Sequence, residues 1–294
     1  MSWRVTLPCT RAQAEAVPGV EELLPGTETQ PVIVADEPDP SRPDDWLLHA
    51  YFERAPKPEE LAALSAIANG EPRIEELGEA DWVTMSQAGL EPIRAGRFFV
   101  HTPTHRSSVP PGAIAFEIDA GLAFGTGQHA TTCGCLKALD SMQCNGCQLT
   151  NIADIGTGTG LLAFAALSLW PAARCIATDI DSVAIEVTRE NAAITQVALG
   201  HGPGELLLAV SDGMDSPMLD ARAPFDLIIA NILAGPLIEL ARDFAKALTP
   251  GGTVILAGLL DTQADTVIAA YEKNGFSLSV RGSGEWPVLQ LSHG

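Results

Sequence analysis

Residues 154–160 read DIGTGTG, wedged between one apolar run, Ile152 to Ile155, and a second, Leu161 to Trp170. A short apolar run reads as a strand and a longer one as a helix, with a glycine-rich turn joining them. Gly156, Gly158 and Gly160 let the chain turn sharply there. They also bring backbone N–H groups close to any ligand held at the helix N-terminus. A chain that opens a helix this way folds as an α/β unit with a binding site at that turn.

The alternation continues downstream. Cys175 to Thr178, Leu206 to Val210, Phe225 to Ala230 and Thr253 to Ala257 read as apolar strands. Ser182 to Ile194, Leu237 to Ala247 and Thr262 to Asn274 carry helical spacing. Strands that alternate with helices form a doubly wound, mostly parallel, Rossmann-like sheet. The end of the chain differs: Phe276 to Val280, a Gly-Ser-Gly turn and Val288 to Leu291 predict a closing hairpin with one antiparallel strand.

The first 95 residues form a separate pattern. Trp3 to Leu7, Pro31 to Ala35 and Trp46 to Phe52 read as strands, with helical spacing over Ala12 to Leu24 (broken by Pro18) and Pro58 to Ala68. That order predicts a small α+β domain of ferredoxin-like type. Thr102 to Gly112, TPTHRSSVPPG, reads as a connector. The expected organisation is therefore a small domain over 1–95, a linker over 96–115 and the large α/β domain over 116–294. At 294 residues the chain exceeds what one core usually holds, which agrees with two domains.

The glycine spacing separates candidate ligands. A dinucleotide fingerprint needs G-x-G-x-x-G, with glycine where Leu161 stands, and a P-loop needs a lysine that does not follow. An acidic residue two places before a G-x-G-x-G core resembles the S-adenosyl-L-methionine-dependent methyltransferases, so a methionine carboxylate is expected at the amides. Asp179 ends the next strand about 20 residues on, where an acid accepts both ribose hydroxyls. Asp212 follows the strand after that and reads either as the partner of the adenine amino group or as a turn aspartate before Gly213. Asn231 ends the strand of FDLIIANILAGPL, at the sheet edge where open α/β folds bind ligands. Its amide oxygen and the carbonyls of Ile232 and Leu233 suit a target amine.

Three further segments narrow the resemblance: GLEPIRAGRFFVH (89–101), AGLAFGTGQHATT (120–132) and NILAGPL (231–237). Together with DIGTGTG they are similar to the ribosomal protein L11 methyltransferase family, and the motifs run in order from about Asp81 to Trp286. The resemblance implies methyl transfer from S-adenosylmethionine to amino groups of that basic large-subunit protein. It implies cofactor contacts at Thr132, Gly156, Gly158, Asp179 and Asn231, and a loop of Phe124, Gly125, Thr126 and Gly127 closing over the cofactor. Asn231 would also orient the amine. It further implies that the N-terminal unit recognises the substrate. Thr157 stands where many members carry cysteine, and Gln128 and Ala130 replace the commoner residues around His129. His129 reads as a structural hydrogen-bonding residue or as a base. A methyltransferase for another protein or a small molecule, and a cofactor-binding assembly factor without catalysis, remain alternatives.

Charge bears on partners. Lys plus Arg number 17 against 37 Asp plus Glu, a net charge of −20. Residues 1–95 carry 18 acidic and 7 basic side chains, so about a third of the chain holds more than half of the net charge. Such a field repels nucleic-acid phosphates and attracts a basic protein. No nucleic-acid binding is expected, and L11 as partner fits. No apolar leader or membrane-length run is visible, so a cytoplasmic protein is expected, read as a monomer. Cys133-x-Cys135, Cys144-x-x-Cys147 and His129 loosely imitate zinc spacing. Cys133 and Cys135, two apart on a predicted helix, point to different faces, so no metal is expected.

Overall fold

The computed structural model describes residues 2–15, 31–36, 46–52, 54–68, 70–77, 92–118 and 128–294. The chain divides into two compact units, Met1–Gly89 and Leu90–Gly294.

The first unit holds β1 (Ser2–Cys9), α1 (Arg11–Glu15), β2 (Val32–Asp36), β3 (Trp46–Phe52), α2 (Pro58–Ile67) and β4 (Arg73–Leu77). Its sheet runs β2-β3-β1-β4 with every pairing antiparallel, which is the ferredoxin-like order. Alternation drives it: Val5, Leu7 and Cys9 of β1 and Leu48, Ala50 and Phe52 of β3 face a common core with Leu64 of α2. The rest of the helical stretch expected over Ala12 to Leu24 lies outside the described residues beyond Glu15.

Glu60, 2% exposed, fixes how α2 starts. Its carboxylate accepts the Lys57 N–H (2.7 Å) and both terminal nitrogens of Arg54 (2.9 and 2.6 Å). The Arg54 guanidinium is the main cause that holds this carboxyl below its ordinary value of 4.5. A depressed acid contributes stability above about pH 4.5, and that contribution is lost as pH falls through its lowered value. Glu60→Ala is expected to destabilise the small unit by about 1–3 kcal/mol at neutral pH, with the difference from wild type shrinking in acid. Denaturant titrations followed by circular dichroism at pH 7 and pH 3 would measure it.

The second unit opens with a three-stranded sheet of β5 (Ile93–Ala95), β6 (Phe98–His101) and β7 (Ile114–Glu117), in that order. Here the expected linker over 96–115 is corrected. All four residues of β6 are buried, and Phe98, Val100, Phe116 and Ile118 enter the same core as the large sheet. The prolines of TPTHRSSVPPG mark the short 3-10 helix Pro103–Ser108 and the turn between two paired strands.

The remainder is α3 (Gln128–Cys144), β8 (Asn151–Ile155), α4 (Leu161–Leu169), β9 (Arg174–Asp179), α5 (Ser182–Ile194), β10 (Leu206–Val210), α6 (Pro217–Arg222), β11 (Phe225–Asn231), α7 (Ala234–Ala247), β12 (Leu248–Ala257), α8 (Asp261–Glu272), β13 (Phe276–Arg281) and β14 (Leu289–His293). The seven strands run β10-β9-β8-β11-β12-β14-β13, with only β14 antiparallel to its neighbours. The expected closing hairpin is there, and β14 inserts between β12 and β13. One apolar cluster covers the face bearing α3 and α4, a second the face bearing α7 and α8, so the sheet is buried on both sides. Eight of the nine residues of α4 are buried, which accounts for its apolar sequence LLAFAALSL. Chain order reverses between β8 and β11, and a crevice opens at such a switch point.

Candidate active site

Register determines what meets at that crevice. Ile155 pairs with Thr178 on one side and Ala230 on the other. One residue further along the three strands stand Gly156, Asp179 and Asn231, level with one another at the carboxyl edge. Asn231 pairs with Ala257, so Gly258 follows just above. A cavity of about 560 Å³ lies here, within the roughly 300–1,000 Å³ of small-molecule sites. It is lined by the glycine loop (Gly156 to Thr159), Leu161 and Leu162, Thr131 and Thr132 of α3, Asn231, Ile232, Leu233, Gly258 and Trp286.

Two glycines are required by close approach. A Cβ on Gly156 would stand 2.3 Å from Ile232 Cγ2, and one on Gly258 2.4 Å from the Ile232 carbonyl oxygen. Both have positive φ, at 73° and 84°. Gly158, at φ 58°, has no neighbour within 4 Å of its Cβ direction, which leaves the loop concave. That open cradle, at the start of α4 and beside an acid on β9, fits an adenosyl amino acid.

The loop is braced from below. Gly156 and Thr157 donate their N–H groups to the Thr178 carbonyl (2.8 and 2.9 Å), and Gly158 donates to Asp179 Oδ2 (2.9 Å). Asp179 Oδ1 accepts the Asp181 N–H at 3.1 Å. Asp181 caps α5 through Val183, so Asp179 is not the helix cap; it stands at the strand end behind the loop and is not among the residues that line the cavity. Loop amides expected to meet a ligand are thus partly spent inside the fold. Leu161 and Leu162, in the first turn of α4, have no intrahelical acceptor for their N–H groups and line the cavity.

Asp154, 1% exposed under the loop, accepts Thr157 Oγ1 (2.7 Å) and the Ala163 N–H (3.2 Å) at Oδ2. Burial pushes its carboxyl up to about 7, against the opposing pull of those two donors.

Thr132 lines the cavity. Asp212 does not: its carbonyl closes a turn with Asp215 N–H, and it borders a second hollow with Asp215, Asp220, Asp243 and Lys246. Phe124, Gly125, Thr126 and Gly127 lie outside the described residues, as does the His129 side chain. Cys135 is fully buried with its thiol pushed up by desolvation, while Cys133 Sγ donates to the Arg94 carbonyl at 3.7 Å. Among the described residues no group of three or more His, Cys, Asp or Glu side chains could hold a metal. None of those residues forms a helix long and apolar enough to cross a membrane.

Trp286 and Leu233 escaped the sequence reading as wall residues. Trp286 sits in the turn before β14, anchored by the bond from Asp261 N–H to the Glu285 carbonyl and by Gly134, whose missing Cβ admits Val288. Leu233 is 74% exposed at the rim. The only advance signal was an apolar residue in each case placed in a turn, where polar residues are usual.

The family model for ribosomal protein L11 methyltransferase matches residues 4–293. A curated relative of that name from Caulobacter sp. is 38% identical over 285 residues, 96% of this chain and 94% of its own. One from Brucella suis is 49% identical over 204 residues, 69% of each chain. A solved ribosomal protein L11 methylase from Lactobacillus delbrueckii subsp. bulgaricus superposes with TM-score 0.58 at 28% identity, covering 69% of this chain and 98% of that one. The sheet order and the glycine cradle at the switch point agree with a methyl-transfer fold. With the family pattern reaching from the first strand of the small unit to the last strand of the large one, the chain belongs to the ribosomal protein L11 methyltransferase family.

Proposed function

We propose that this protein transfers methyl groups from S-adenosylmethionine to amino groups of ribosomal protein L11, on lysine side chains or the N-terminus. The observation that carries this reading is the family match through both units. Bound S-adenosylmethionine supplies an electrophilic methyl group; the chain's own residues bind, orient and dry the site. Gly156, Gly158 and Thr132 would cradle the methionine end, Asp179 would accept the ribose hydroxyls, and Asn231 would face the methyl. Phe124, Thr126 and Gly127 would close over the cofactor, and Asp212 would reach the adenine edge only by a change in its turn.

Displacement at a methyl group needs a neutral amine. At pH 7 only about one free lysine in 2,500 is neutral, a deficit of roughly 4.6 kcal/mol. Desolvation against Ile232, Leu233 and Trp286 offsets part of this deficit by disfavouring the ammonium form. Among the described residues that line the cavity none is titratable, so no side chain there is placed to serve as a general base. Asn231 Oδ1 and nearby carbonyls would orient the amine, water would take the proton, and alignment would supply much of the remaining rate.

The acidic small unit, Met1–Gly89, serves as the docking surface for basic L11 in this reading, and the protein acts as a cytoplasmic monomer without nucleic-acid contact. The test is transfer of radiolabelled methyl to purified L11, with total unmodified ribosomal proteins alongside. Label confined to L11 is expected; cofactor binding without label on L11 would remove this substrate. Trp286→Ala is expected to lower kcat/KM for L11 by about tenfold to a hundredfold, the worth of one apolar wall, with cofactor affinity moving less than about threefold. Calorimetry beside steady-state kinetics separates the two.

A further inference from the structure

Asp154 has more acceptor capacity than the protein uses. Its Oδ2 is engaged by Thr157 and Ala163, but Oδ1 is buried and meets no donor among the described residues. Among the described residues, the groups that bear on it supply no positive charge. On β9, Asp179 adds like-charge repulsion and Cys175 presents a fully buried thiol; on α3 stands Cys135, also a buried thiol. Both thiols are pushed up by desolvation and by Asp154's own charge. On β11 its register partner is Ile229, and Thr157 and Ala163 complete the surroundings from the loop and α4. An ionised carboxylate half unsatisfied in such a place is costly, and protonation relieves it. The loop that it braces lines the cavity.

We propose that Asp154 is the buried counter-charge for a cationic ligand in this cavity, releasing its proton to solvent as that ligand binds. The inference rests on the cofactor reading above, since S-adenosylmethionine carries an ammonium and a sulfonium group. Positive charge brought over the loop favours the carboxylate, so affinity rises with pH across neutrality, by at most about tenfold per pH unit for one proton. Thr157 tunes the response, because its hydroxyl donates only to the side that benefits from charge. Asp154 touches no reacting atom; it is a positioning residue acting through the loop.

Titration calorimetry with S-adenosylmethionine at pH 7, in phosphate and in Tris, counts protons through the different ionisation heats of the buffers. Wild type is expected to release about half a proton, the fraction bound by a group that titrates near pH 7. Asp154→Asn is expected to release none beyond what the ligand itself contributes, and its affinity is expected to follow only the ligand's own titration from pH 6 to 8. Thr157→Val keeps the carboxyl and removes only its donor, so it is expected to release more than wild type and to shift the pH profile upward. Binding by wild type without proton release, or equal release from Asp154→Asn, overturns the proposal alone. Failure to bind at any pH removes the cofactor reading and this proposal with it.

Discussion

Asn231→Ala is expected to slow methyl transfer by about a hundredfold to a thousandfold, the loss seen when one preorganised polar group facing the reaction is removed. The position argues for the size of the effect. Asn231 ends β11 level with Gly156, and the chain behind it is wedged by two glycines that admit Ile232. Single-turnover rates at saturating cofactor isolate the chemical step. An unchanged single-turnover rate would take Asn231 out of the reaction and leave it a turn residue before α7.

Asp179→Ala is expected to weaken cofactor binding by a hundredfold or more. Two hydrogen bonds from ribose hydroxyls to a carboxylate, at about 1.5–3 kcal/mol each, exceed that factor even at their lower end. The same substitution strips the Gly158 N–H of its acceptor and should cost the fold about 1–2 kcal/mol. Asp179→Asn distinguishes the two roles. Its remaining carbonyl oxygen can still take the Gly158 N–H, so most stability should return. Its amide nitrogen cannot accept a hydroxyl, so affinity should not. Recovery of both together would mean that Asp179 acts only as a brace.

The strands and helices of the large unit were legible because each is long enough to show its period. Leu206 to Val210 and Ser182 to Ile194 come out with the expected bounds, and the β-branched and apolar runs of β8, β9 and β11 needed no tertiary help. The strands of three or four residues over 93–117 were not legible. Isolated from their partners they are indistinguishable from turn, and prolines and arginines fill the stretches between. Pro250, Gly251 and Gly252 hid the start of β12 for a similar reason: the sequence signals a turn, while pairing with β11 carries the strand through an irregularity in register.

The candidate site divides along the same line. DIGTGTG, Asp179 and Asn231 announce a glycine cradle and two polar strand ends from sequence, since backbone freedom and residue chemistry are local properties. Local order also makes Asp212 look like their equal, and the turn that closes on Asp215 aims it at another hollow. Trp286 stands 55 residues beyond Asn231 in the chain, and only the insertion of β14 beside β12 brings it to the cavity wall. In the sequence Asp154 is only the acid two places before the glycine core. Its Oδ1 is unmatched among the described residues because β9, β11 and α3 close around it and none of those residues brings a cation to it. Sequence by itself determined the longer elements of the large unit and the residues at the strand ends, because those follow from period, glycine and side-chain chemistry, while the kind of ligand came from the resemblance to a known family. Tertiary structure decided which distant side chains wall the cavity and which carboxyl keeps one oxygen unmatched among the described residues, because burial and pairing depend on what the rest of the chain places alongside.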